Sequence, residues 1–290
     1  MTLLAVRNLR VTFDTPSGPF EAVRGVSFTL GSERLGIVGE SGSGKTMTGR
    51  SILRLVRPPG RVEADAMTFD GQDLLRLSER RMRALRGTRI AMVMQDPKYS
   101  LNPVMRIGDQ MTEGLRVHER VSRRRARERA AEMLEQVQIR DVDRVLRAFP
   151  HEVSGGMGQR IMIAMMLIPD PDLLIADEPT SALDVTVERE VLAILDQLVV
   201  ERQGQSGMGL IFISHDLRLV SRFCDRVLVM YRGQVVEEIA AASLHEARHP
   251  YTRGLLECLP RIGDREGTDP DAPVRPLATL DRDDAWAVQA

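Results

Sequence analysis

Eight consecutive residues carry the clearest chemistry in this chain: Gly39-Glu40-Ser41-Gly42-Ser43-Gly44-Lys45-Thr46. They fit G-x-x-x-x-G-K-[ST] at every fixed position. The lysine is informative because the chain hardly uses lysine. Of its 40 basic residues only Lys45 and Lys98 are Lys, and all the others are Arg. A phosphate cradle calls for a compact ammonium on a flexible stem, since a planar guanidinium fork is too wide to enter the loop. The glycines let backbone N–H groups turn inward on phosphate oxygens, and a helix starting near Lys45 adds its positive end. Thr46 offers a hydroxyl to Mg²⁺.

A second group follows at Leu173-Leu174-Ile175-Ala176-Asp177-Glu178. Four apolar residues form a buried strand that delivers two carboxylates at its carboxyl end, where open α/β sheets bind ligands. Successive strand residues point opposite ways, so the two acids have different tasks. Asp177 is expected to hold Mg²⁺ through water. Glu178 is expected to face the γ-phosphate and to orient or deprotonate the attacking water. A third group, Ser154-Gly155-Gly156-Met157-Gly158, opens the helical run from Ile161. Its Ser-Gly-Gly start exposes unpaired N–H groups, which makes it a second anion site.

The elements that must position these groups follow from apolar spacing. Leu35 to Val38 reads as a buried strand leading into the glycine loop. The helix after it runs through Ile52, Leu53 and Val56 and stops at Pro58-Pro59-Gly60. Residues 1–34 alternate apolar and polar, giving antiparallel strands around a turn at Thr15 to Pro19. Met67-Thr68-Phe69 and Ile90 to Met94 read as further strands. From about 107 to 168 the pattern is helical. Leu210 to Ile213 joins Leu173 to Ala176 as a central parallel strand, and Arg226 to Met230 with Gly233 to Val236 reads as a hairpin. Six arginines between Arg120 and Arg129 read as a solvated helix face, because aromatics are absent.

Composition narrows the class. The chain has 290 residues, 43% of them hydrophobic, and a net charge of −1. No global field favours nucleic acid or anionic lipid. Two distant cysteines, Cys224 and Cys258, form neither a disulfide framework nor a metal cluster, and a reduced cytosolic setting fits. The N-terminus is too soon charged for a signal peptide. The longest apolar run, Ile161 to Ile168, is far short of a membrane span. If the protein works at a membrane, another chain must cross it.

In order along the chain, these motifs resemble the ATP-binding subunits of ABC transporters over about residues 3–262. The resemblance implies an α/β fold: a P-loop NTPase (RecA-like) core, an antiparallel β subdomain and an inserted α-helical subdomain. It places the ATP-binding domain at residues 1–262, with the helical part at about 97–168, and leaves 263–290 as a weakly ordered tail. Gly39 to Thr46 is similar to the Walker A loop, and Asp177 with Glu178 to the Walker B pair. Gln95 resembles the Q-loop glutamine, which reaches Mg²⁺ and water. Ser154, Gly155 and Gly156 resemble the signature loop, with Met157 where Gln is usual. Ser181-Ala182-Leu183-Asp184 resembles the D-loop, and His215 the switch histidine at the γ-phosphate. Phe13 stands where the family stacks an aromatic on adenine, and Phe20 competes for that role. The implied ligands are ATP and Mg²⁺. Two subunits are implied as well, because in this family the signature loop of one closes on the nucleotide of the other.

Two stretches are narrower. Met94-Gln95-Asp96-Pro97 with Ser100-Leu101-Asn102-Pro103, and His249-Pro250-Tyr251-Thr252-Arg253-Gly254-Leu255-Leu256, resemble the dipeptide/oligopeptide/nickel import branch. That branch implies a second ATPase subunit, two integral-membrane permeases and an extracytoplasmic substrate-binding protein. It implies work at the cytoplasmic face of the inner membrane, and no nucleic acid. Peptide import is the first expectation and nickel import the second, since the histidines are scattered without ligand spacing. Only Cys258 lies where some members bind an iron–sulfur cluster, so none is expected. A soluble, non-transport ATPase of this class is disfavoured: Thr46 to Leu173 leaves no room for a repair-type coiled coil, and ribosome types usually carry two such domains.

Overall fold

Two sheets share the chain, and the alternation of its strands explains how they meet. The computed structural model describes residues 2–94, 101–119, 121–181, 184–203 and 207–258. Gln95, Lys98, Arg120, Ala182, Leu183 and the tail from 263 lie outside the described residues. The first sheet is antiparallel. β1 (Leu4–Thr15) and β2 (Gly18–Leu30) form a hairpin in which Thr15 pairs with Gly18 and Phe13 with Phe20. β4 (Gly60–Glu63) and β5 (Ala66–Phe69) both pair with the other edge of β1, and β6 (Gln72–Asp73) pairs with β5.

The second sheet is the parallel core. It is built from β3 (Arg34–Val38), β7 (Ile90–Val93), β8 (Leu173–Asp177), β9 (Gly209–Ser214), β10 (Arg226–Tyr231) and β11 (Gln234–Ala240). Their order is β11-β10-β3-β9-β8-β7, and only β11 runs antiparallel. Strand alternation splits this sheet between two cores. Ile37, Ile175, Ile211 and Ile213 join Leu4, Leu9, Val26 and Phe69 of the first sheet. Val38, Leu174, Ala176 and Phe212 face the helices on the opposite side. Strands buried on both faces have no polar side, which is why they read as continuous apolar runs.

Helix α1 (Lys45–Ile52) lies between the sheets, with Ile52 fully buried in the first core. It ends earlier than its apolar spacing suggests. Arg54 adopts φ 52°, and Leu55 N–H donates to Arg50 O at 2.8 Å while Arg54 N–H donates to Ser51 O at 2.9 Å. This left-handed closure ends the helix before Pro58 is reached. Arg54 also donates to Leu77 O at 2.7 Å, which holds the closing residue in place.

After α2 (Glu79–Leu85) the helical part comprises α3 (Ile107–His118), α4 (Arg123–Gln136), α5 (Val142–Arg147) and α6 (Gly155–Leu167). Ser122 caps α4 by accepting from Arg125 N–H, and Ala126, Ala130, Met133 and Leu134 form its buried stripe. Arg123, Arg124, Arg125 and Arg127 are exposed on its other face. Helix α6 carries the longest apolar run and is buried on most sides. No described helix is long and apolar enough to cross a membrane. The chain continues through α7 (Val185–Gln203), α8 (Leu217–Phe223) and α9 (Pro250–Glu257).

Candidate functional site

The register of the parallel sheet assembles the site. Val38 is level with Ser214 across β3 and β9, and Asp177 with Ile213 across β8 and β9. The residues that follow, Gly39, His215 and Glu178, therefore leave the sheet together at its carboxyl rim. One cavity of about 470 Å³ opens there, lined by residues 41–47, Phe13, Phe20, Ala22, Glu178 and His215. Ligands of open parallel sheets bind at this rim.

The glycine loop has the shape of a cradle. A side chain at Gly39, with φ 151°, would lie 2.1 Å from Met230 O, and one at Gly44, with φ 99°, would lie 2.4 Å from Ala22 O. No other residue fits those two positions. The loop is strapped to the β10–β11 turn by Gly233 N–H, which donates to Ser43 O at 3.0 Å. Lys45 Nζ donates to Gly39 O at 2.7 Å and to Glu40 O at 2.8 Å. An ammonium has three donors, so one remains for a ligand in the cavity. Burial pushes the Lys45 pKa down, and the carboxylates of Glu178, Asp177 and Glu40 oppose that shift. The buried Ser43 hydroxyl has no hydrogen-bond partner among the described residues. An orphaned hydroxyl and a free ammonium proton in one loop fit an anionic, oxygen-rich ligand.

Beside the loop, Thr46 Oγ1 donates to Asp177 Oδ1 at 2.9 Å. Burial pushes the Asp177 carboxyl up, and the Thr46 hydrogen bond opposes it. A hydroxyl and a carboxylate suit Mg²⁺, which keeps several waters and shares phosphate oxygens rather than entering an all-protein cage. No group of three or more His, Cys, Asp or Glu that could hold a metal occurs among the described residues. Glu178 has φ 47°, and its N–H donates to Ile213 O at 2.9 Å. This turn brings its carboxylate within 3.5 Å of His215 Nδ1.

Ser154 stands apart. It caps α6 by accepting from Met157 N–H at 3.3 Å, and neither it nor Gly155 and Gly156 lines the cavity. Ser154 and Gly155 are exposed, while a side chain at Gly156 would lie 2.7 Å from Val187 Cγ1. Helix α6 is nevertheless tied to the carboxylate strand, because Gln159 Nε2 donates to Pro179 O. Phe13 and Phe20 are direct cross-strand partners, so both rings share one face. Phe13 is half-buried and rests against Gly60, whereas Phe20 is 57% exposed. One contact had no signal in the sequence: Glu40 N–H donates to Tyr251 Oη at 3.1 Å, across 211 positions of chain.

A parallel sheet that presents a glycine–lysine loop beside two strand-end carboxylates defines the P-loop nucleoside triphosphatases. Comparison with known proteins narrows the class. Residues 23–181 match the ABC transporter family. The chain is 44% identical over 299 residues to the oligopeptide transport ATP-binding protein OppD of Bacillus subtilis (strain 168), covering 99% of this chain and 81% of that protein. It is 46% identical over 264 residues to the dipeptide transport ATP-binding protein DppD of Escherichia coli (strain K12), covering 90% and 80%. The dimeric structure of a bacterial ABC transporter cassette superposes with a TM-score of 0.72 at 26% identity, over 82% of this chain and 98% of that one. The same cassette in a dimeric post-hydrolysis state bound to ADP and Pi gives 0.72 at 25% identity, with the same coverage. The chain belongs to the ABC transporter family and is an ABC ATPase.

Proposed function

We infer that this chain is the ATP-hydrolysing subunit of a bacterial ABC importer that takes up dipeptides or oligopeptides. The observation that carries the cargo is its nearly full-length likeness to subunits named for peptide transport. In this reading residues 1–262 form the ATP-binding domain, with the helical part inserted over about 97–168. The partners are a second ATPase subunit, two membrane-spanning permeases and an extracytoplasmic binding protein. The chain sits on the cytoplasmic face of the membrane. Exposed Met94, Val104 and Val117 flank or follow segment 95–100 and offer apolar surface to a permease.

The chain's residues divide the work. The remaining Lys45 proton and the backbone N–H groups at the start of α1 would hold the β- and γ-phosphates, while Ser43 N–H donates to Glu40 O at 3.2 Å and closes the loop. Thr46 and Asp177 would hold Mg²⁺, with Gln95 as a further ligand, and a bound ion would supply positive charge against the phosphate oxygens. Glu178 orients the attacking water and takes its proton, and His215 Nδ1, 3.5 Å from that carboxylate, steadies it toward the γ-phosphate. Phe13 stacks on the adenine ring. Ser154, Gly155 and Gly156 close on the nucleotide of a partner subunit, a role supported by their exposed helix start outside the chain's own cavity.

The test is reconstitution in vesicles with the permeases that co-purify. Binding protein loaded with a short peptide is expected to raise ATP turnover several-fold above unloaded protein. Stimulation by a nickel-loaded binding protein and not by a peptide-loaded one would assign the other cargo.

A further inference from the structure

The segment His249 to Leu256 stood out in the sequence, yet the ATPase chemistry leaves it without a task. The structure gives it one. The peptide unit joining Gly39 to Glu40 is held at both ends. Its carbonyl, Gly39 O, accepts from Lys45 Nζ at 2.7 Å, and its N–H, on Glu40, donates to Tyr251 Oη at 3.1 Å. Rotation of that one peptide plane would break both bonds. We propose that Tyr251 is a positioning residue for ATP: its hydroxyl fixes the Gly39–Glu40 peptide and thereby aims the Lys45 ammonium at the phosphates. The inference rests on the ATP-binding reading of the loop.

Three features support it. First, Tyr251 is held independently of its hydroxyl. Its ring lies 4.4 Å from the Tyr231 ring, and it is 3% exposed. Second, the start of α9 is staked to β11. Glu237 accepts from Arg248 N–H at 2.7 Å and from His249 N–H at 3.3 Å, and His249 Nδ1 accepts from Tyr251 N–H at 3.2 Å. The phenol therefore reaches the loop from a fixed base. Third, burial pushes the Tyr251 pKa up to about 12, so the group stays a neutral phenol with lone pairs for the Glu40 N–H. Two Lys45 donors are bound to loop carbonyls, which fixes the direction of the third.

The test is Tyr251→Phe in the full chain, which removes the oxygen and keeps the ring. One hydrogen bond that acts on ligand affinity corresponds to roughly a three- to tenfold change. The KM for ATP and the Kd of a fluorescent ATP analogue are expected to rise by that factor. The kcat at saturating ATP stays within about twofold, and the thermal midpoint falls by no more than the roughly 2–4 °C that one hydrogen bond is worth. Thr252→Val, at a buried neighbour on the same helix, is the control and should leave KM at the wild-type value. An unchanged KM and Kd in Tyr251→Phe overturns the proposal, as does a fall in thermal midpoint without a change in KM. Failure of the wild-type chain to bind the analogue would instead strike the ATP reading of the loop.

Discussion

Glu178 occupies a backbone conformation that few non-glycine residues adopt, with φ 47°. Strain of this kind persists where the surroundings over-determine it, and here the Ile213 carbonyl and the β8 register do so. The turn swings one carboxylate into the cavity while its neighbour Asp177 faces Thr46. Glu178→Gln keeps shape and hydrogen bonding but cannot take a proton. Phosphate release in the assembled transporter is expected to fall by about 10²- to 10³-fold, with ATP affinity within about twofold. Turnover near wild type would remove Glu178 as the base. The two phenylalanines separate in the same way. Stacking of a base on an aromatic ring is worth about 1–3 kcal/mol, so Phe13→Ala should raise the KM for ATP roughly tenfold and more than Phe20→Ala does. The reverse order would move the adenine to the exposed ring.

Elements differ in how openly the sequence declares them. The parallel strands are plain because burial on both faces leaves only apolar residues, as in Leu210 to Ile213 and Leu173 to Ala176. The glycine loop is plain because Gly39 and Gly44 tolerate no side chain. β4 is not, because Gly60–Glu63 takes its strand form from pairing with β1 rather than from its own pattern. The end of α1 is hidden too, since a left-handed arginine closes it where glycine would be the usual signal. The Tyr251 contact joins segments with no local relation, so spacing cannot report it. Helix α4 closes like α1. Gln138 has φ 60°, and Ile139 N–H donates to Leu134 O at 2.9 Å. Gln138 is exposed, so Gln138→Gly removes strain without removing packing. The gain is about 0.5–1 kcal/mol, read as a higher urea midpoint at unchanged slope. A lower midpoint would show that the Gln138 side chain stabilises the turn.

At the scale of the whole molecule, the two helix starts open in different places. Helix α1 opens into the cavity, whereas α6 opens into solvent at Ser154 and Gly155. Ser154 caps the Met157 N–H, and the other first-turn N–H groups face water or an anion brought from elsewhere. Ser154→Asp isolates this role. Asp caps a helix about as well as Ser, so the fold and its thermal midpoint should be unchanged. The added carboxylate, however, faces any phosphate that approaches. The isolated variant is expected to bind ATP within about twofold of wild type, because Ser154 does not line its own cavity. ATP-dependent dimers, followed by sedimentation in the Glu178→Gln background, should disappear, and turnover in the assembled transporter should fall at least about tenfold from like-charge repulsion. Ser154→Asn, a neutral cap, should retain both. If Ser154→Asp weakened ATP binding by the isolated subunit as strongly as it weakened turnover, the two helix starts would act on one nucleotide within one chain, and the site would need no partner.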